Sequence, residues 1–180
     1  MKNFNKKNNR GFTIIETLVA VFILSVAITG PLVFAQSGLR AAFLARDQIT
    51  ALFLAQDAME SIKNIRDSNG LAGAPWTAGI SNCIGTKCTI DTTLSSPTLS
   101  ACVSSECPNL KIDTTQRYGY TSGQDSIFKR TIYIKNVTNT GGGNIADQIQ
   151  VVVKVTWQSH ERIGERSVVV QENLFNWVRN

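Results

Sequence analysis

The chain has 180 residues, 43% of them hydrophobic and 17% charged, with a formal net charge of +5. That length fits one domain or one domain with an appendage, and the balance of apolar and charged residues excludes a disordered chain. A single histidine, His160, excludes a multi-histidine metal site. The positive charge is concentrated at the start. Lys2, Lys6, Lys7 and Arg10 stand in the first ten residues with no acid among them, while the rest of the chain carries 14 basic and 13 acidic side chains. A nucleic-acid-binding domain spreads or stripes its cations over the folded body. Here the overall basicity reads as that of a short leader, residues 1–11, and the sequence indicates no nucleic-acid partner.

Phe12 to Ala35 (FTIIETLVAVFILSVAITGPLVFA) follows the leader, and its only ionisable residue is Glu16. As a helix it would extend roughly 36 Å, enough to cross a hydrocarbon core of about 30 Å. Lysine and arginine cluster before it, and the next cation is Arg40. The positive-inside rule therefore keeps the N-terminus in the cytoplasm and sends the rest across the membrane. A secretory signal peptide cut after Val33-Phe34-Ala35 and a plain single-span anchor are the simpler readings. Neither accounts for Glu16, one turn into the apolar run. A carboxylate near the membrane calls for a partner. A cut between Gly11 and Phe12 would create an α-amino group four residues before Glu16. The carboxylate could meet its own chain's amine or a neighbouring subunit's. The second arrangement would set the axial register of an assembly.

The order of basic leader, Gly11, Phe12, Thr13, Ile14, Ile15, Glu16 and apolar run resembles the N-terminus of type IV prepilins, with Ile14 in place of the usual leucine. The resemblance implies cleavage after Gly11 by a membrane-embedded prepilin peptidase and N-methylation of Phe12. It also implies residence in the inner membrane before assembly with other pilin subunits through the hydrophobic helix. Gly11 suits a scissile position because it brings little bulk into a protease cleft. Gly30 and Pro31 resemble the family's mid-helix kink, where the missing proline N–H removes a hydrogen bond.

Residues 36–67 contain no glycine after Gly38 and no proline. Leu39, Phe43, Ile49, Phe53, Met59 and Ile62 recur at roughly helical spacing among charged residues. This predicts a second, amphipathic half of the same helix, roughly 84 Å from Phe12 to about Asp67 if straight. Asp67-Ser68-Asn69-Gly70 is the predicted stop. Leu54 to Ile62 resembles V-type minor pilins and I-type pseudopilins.

Residues 68–126 are rich in Ser, Thr, Gly and Pro and read as a connecting region, with short strands near Cys88–Asp91 and Leu110–Asp113. Its cysteines fall as Cys83-x4-Cys88 and Cys102-x4-Cys107. A zinc ribbon would use two intervening residues rather than four, so neither a metal nor another cofactor is expected. In an oxidising compartment the preferred pairing is Cys83–Cys88 and Cys102–Cys107, although four cysteines allow three connectivities. Residues 127–180 show period-two alternation around Phe128–Lys135 and Ile149–Gln158. A third apolar segment lies at Ser167–Trp177, and its Val168-Val169-Val170 run leaves the register open. Turns are expected at Thr140–Asn144 and Ser159–Gly164. Short connections force an antiparallel meander.

The fold class is α+β: a long N-terminal helix, membrane-spanning then amphipathic, packed on an antiparallel meander in the manner of a type IV pilin. No enzyme is indicated. His160 lies in a predicted solvated turn without a nucleophile motif, and Gly141–Gly143 lacks the context of a phosphate loop. Trp76, Trp157, Trp177, Tyr118 and Tyr120 offer rings to a sugar, with Trp157 and Trp177 expected in the core. The function that fits is a minor pilin or pseudopilin of a type IV pilus or a related secretion or DNA-uptake filament. The alternative is a membrane-anchored extracytoplasmic binding module that does not polymerise.

Overall fold

The computed structural model describes residues 11–103, 106–138, 144–158 and 164–177. The leader before Gly11, His160 and most of the two predicted long turns lie outside the described residues. The chain divides into two compact units, Met1–Ala45 and Arg46–Asn180. One helix, α1 (Ile14–Leu71), contributes to both.

In the first unit α1 begins where its sequence caps it. Thr13 is the N-cap, and its Oγ1 accepts a hydrogen bond from the Glu16 backbone N–H at 3.3 Å. This is the donor-satisfying half of a Thr-x-x-Glu capping box. Helical structure continues through Gly30 and Pro31. The hydroxyls inside the apolar stretch are satisfied by the helix itself. Thr17 donates to the Ile14 carbonyl, Ser25 to Val21 and Thr29 to Ser25. These three residues can therefore sit in an apolar environment without orphaned donors. The stretch is long and apolar enough to cross a membrane, and none of it is buried within the chain.

In the second unit α1 buries Ala51, Leu54, Ala55, Ala58, Met59 and Ile62. Residues 51, 55, 58 and 62 form one stripe at helical spacing. This corrects the predicted face. Leu39, Phe43, Ile49 and Phe53 are exposed, and only Met59 and Ile62 of the expected stripe reach the core. Alanines make the contact because their small side chains let a helix backbone approach a sheet closely. The helix also outruns its predicted stop. Gly73, at φ +66, is the terminator. The Ala74 N–H bonds to the Asn69 carbonyl and the Gly73 N–H to that of Gly70. These two bonds are a Schellman motif, which needs the left-handed residue at 73 rather than the glycine at 70.

Among the described residues, a 3-10 turn (Ser81–Cys83) leads into eight strands: β1 (Lys87–Ile90), β2 (Leu99–Ala101), β3 (Lys111–Ile112), β4 (Tyr118–Gly119), β5 (Gln124–Asp125), β6 (Phe128–Thr138), β7 (Asn144–Gln158) and β8 (Glu165–Phe175). The main sheet has the order β2-β1-β6-β7-β8, and β4-β3-β5 form a small second sheet. All pairings between these strands are antiparallel, and an isolated parallel bridge joins Ile84 to Ile134 of β6. The meander is thus β6-β7-β8, but the connecting region adds two strands to it. Strands of two to four residues are too short to show a period, so the sequence displayed only part of them.

Phe128, Arg130, Ile132 and Ile134 of β6 and Ile149, Val151, Val153, Val155 and Trp157 of β7 are buried. Val153 pairs with Val170 and Val155 with Val168, which turns Val169 to the open face at 54% exposure. That resolves the valine run. The exceptional Val152 lies on the open face as well. Long N-terminal helix and antiparallel sheets together make an α+β, type IV pilin-like architecture.

Candidate functional site

Gly11, Phe12 and Thr13 precede the helix and are exposed, Phe12 at 80%. The Gly11–Phe12 peptide is therefore outside regular structure and open to a second protein. A Cβ built on Gly11 meets nothing within 4 Å. The chain's own packing does not demand glycine there, so any demand must come from what binds the segment. Glu16 is exposed in the first turn of α1, where the helix dipole favours a negative charge. The sequence-predicted residues Gly11, Phe12 and Glu16 thus fall in one accessible segment at a capped helix start. Gly30 and Pro31 lie further along the same helix.

The cysteines belong to the globular unit. Cys83 is bonded to Cys88 and Cys102 to Cys107. The first bridge is in the core and ties the 3-10 turn to β1; the second closes the loop after β2. Among the described residues no group of His, Cys, Asp and Glu could hold a metal ion. Of the aromatic candidates, Trp157 is buried beside Phe128 at 6.1 Å between ring centroids. Trp177 is not a core residue. It is 56% exposed, and its indole N–H donates to Asp67 Oδ1 at 2.8 Å. Trp76, Tyr118 and Tyr120 pack partly buried against the core.

Arg130 shares the inward register of Phe128 and Ile132, a place where sequence pattern alone does not expect a cation. It is fully buried on the sheet's helix-facing side. Its guanidinium donates to the Leu54 carbonyl at 3.0 Å, the Ile90 carbonyl at 2.6 Å and Asp57 Oδ2 at 3.3 Å. One side chain thereby joins α1, β1 and β6. Asp91 organises the adjoining loops, accepting from the backbone N–H groups of Thr93 at 3.0 Å and Tyr120 at 2.8 Å. Burial pushes the Asp91 carboxyl up, yet the hydrogen bonds from Thr93 and Tyr120 outweigh it and hold the group below the usual carboxylate range. Lys63 bonds to Glu172 of β8 at 2.9 Å and to Glu60 at 3.1 Å, and the Glu172 bond chiefly raises its pKa. These polar contacts position the globular unit rather than do chemistry. None places a nucleophile beside a base.

Residues 6–30 match the family model of the prokaryotic N-terminal methylation motif. No curated protein and no solved structure matches the chain at a significant level. The matched segment contains the exposed Gly11–Phe12 peptide, Glu16 and most of the apolar run, as far as Gly30. The motif, with the long N-terminal helix and antiparallel sheets behind it, supports a type IV pilin-like prepilin. The motif implies processing by a prepilin peptidase and assembly with pilin subunits, and with the apolar helix it fits membrane anchoring before assembly.

Proposed function

We propose that the chain is a minor pilin or pseudopilin, a subunit of a type IV pilus or of a related type II secretion or DNA-uptake filament. The observation that carries the reading is the methylation motif over residues 6–30, followed by an apolar helix with no cover of its own. The basic leader holds the N-terminus on the cytoplasmic side. A prepilin peptidase cuts between Gly11 and Phe12, in the accessible stretch before the helix cap. The new α-amino group of Phe12 is methylated. Glu16 then meets a neighbouring subunit's amine and fixes the axial register. Gly30 and Pro31 supply a soft point at which the packed helix bends or locally melts. The filament carries the disulfide-stapled globular unit to the cell surface.

Gly11→Leu tests this reading at its first step. Nothing in the chain's own packing opposes the larger side chain. The variant should fold and insert but accumulate as unprocessed precursor, visible as a slower band in membrane fractions. Unchanged processing contradicts the assignment of the cut. Filaments sheared from cells should contain the mature chain. A chain that stays wholly in the membrane fraction favours the anchored binding module instead.

A further inference from the structure

Within Gly11-Phe12-Thr13-Ile14-Ile15, only Gly11 and Thr13 are residue types that cap helices well. Gly11 contributes the carbonyl of the peptide that the proposed cut breaks, and Thr13 lies just beyond that peptide. The choice between them decides whether the scissile carbonyl joins the helix. The chain uses Thr13. Its Oγ1 accepts from the Glu16 backbone N–H at 3.3 Å, and its carbonyl accepts the Glu16 and Thr17 N–H groups at 3.1 and 3.2 Å. The helix α1 therefore opens at Ile14. Among the described residues, the Gly11 and Phe12 carbonyls accept no backbone hydrogen bond. A start at Gly11 would instead make the Gly11 carbonyl the first acceptor of the helix, bonded to the Ile15 N–H. The Thr13 hydroxyl separates the two starts, because it satisfies an N–H that the helix end leaves without a partner.

That carbonyl is the reacting group. Hydrolysis adds the oxygen of water to the Gly11 carbonyl carbon, breaks the bond to the Phe12 nitrogen and delivers a proton to the departing amine. A peptidase has to stabilise the charge that develops on the carbonyl oxygen. An oxygen bonded into a helix points along the helix axis and is shielded by the first turn. We propose that Thr13 is a positioning residue for maturation: its hydroxyl caps α1 just past the scissile peptide and so keeps the Gly11 carbonyl open to the peptidase. This role presupposes the cut after Gly11 proposed above. It is exerted within the precursor's own backbone and not by a contact with the enzyme.

The test is cleavage of the full precursor in nonionic detergent micelles by a purified prepilin peptidase, with initial rates read by intact mass over a range of precursor concentrations. Thr13→Val keeps the shape of the side chain and removes the capping oxygen. Loss of such a cap shifts a helix start by a factor of about five. A smaller competent fraction raises KM and leaves kcat alone. Thr13→Val should therefore raise KM about fivefold at constant kcat. Thr13→Ser and Thr13→Asn retain a capping oxygen and should keep KM at the parent value or below. Thr13→Gly is the deciding variant, because glycine caps nearly as well as threonine and offers an enzyme no side chain; its KM should stay within about twofold of the parent's. The backbone carbonyl resonance of Gly11, followed by NMR without the peptidase, should move toward its helical range in Thr13→Val and stay in place in Thr13→Gly. A parent-like KM for Thr13→Val, or an unmoved Gly11 resonance, overturns the proposal. A fall in kcat shared by Thr13→Val and Thr13→Gly also overturns it, because the side chain would then touch the reacting complex. A parent chain that is not cut between Gly11 and Phe12 overturns the prepilin reading and the role of Thr13 together.

Discussion

Replacing Arg130 with alanine should destabilise the globular unit more than any other single polar substitution in it. The guanidinium is fully buried and donates to two backbone carbonyls, at 2.6 and 3.0 Å. Hydrogen bonds from a charged donor contribute about 1.5–3 kcal/mol each. The lost stem also leaves a void beneath α1. Against this, a large desolvation cost disappears with the charge, which brings the net loss to about 3–4 kcal/mol. Arg130→Met refills the volume without the charge and should cost about 1–2 kcal/mol. Asp57→Ala should cost about 1 kcal/mol, because the Asp57 side chain is half exposed and water screens the pair. Urea unfolding of the full chain in nonionic micelles, followed by tryptophan fluorescence, measures all three. The midpoints should fall in the order Asp57→Ala, Arg130→Met, Arg130→Ala, from highest to lowest, at constant m. A loss under about 1 kcal/mol for Arg130→Ala, or a larger loss for Asp57→Ala, refutes the view that Arg130 joins helix to sheet.

Three more outcomes follow from the same geometry. Asp91 has a lowered folded pKa, so its stabilisation is present above the unfolded value of about 3.9 and is lost as pH falls through the folded value. Asp91→Asn should therefore be less stable than the parent at pH 7, and the two melting curves should converge below about pH 4; parallel curves would contradict this. At Gly123, with φ +108, a Cβ would overlap the Ile112 carbonyl. Gly123→Ala should cost about 2–3 kcal/mol by separating β5 from β3, and a thermal midpoint equal to the parent's would show that the turn adapts. Replacing both Cys83 and Cys88 with alanine reopens a short loop and should cost roughly 2 kcal/mol in the chain-entropy model; an unchanged urea midpoint would remove that stabilising role.

The sequence displayed the features that repeat and hid those that depend on distant neighbours. The apolar run, its basic flank and the motif around Gly11 and Glu16 are local, and the meander strands β6 to β8 are long enough to show their period. The helix face was misjudged because large apolar residues such as Phe53 drew attention from Ala51, Ala55 and Ala58. Small residues carry little hydropathic signal but decide how closely a helix lies on a sheet. The helix end was misplaced because Gly70 and Gly73 look alike until the backbone bonds of the Schellman motif are seen. Arg130 stood in the inward register all along, yet a cation in an apolar row reads as noise without the carbonyls of Leu54 and Ile90 beside it.

The central claim is that this chain is matured as a prepilin. Intact-mass measurement of the protein recovered from membranes and sheared filaments tests it most directly. The account predicts a species beginning at Phe12, with both disulfides intact and one added methyl group on the Phe12 amine. A chain still beginning at Met1, or one beginning at Gln36, would contradict it.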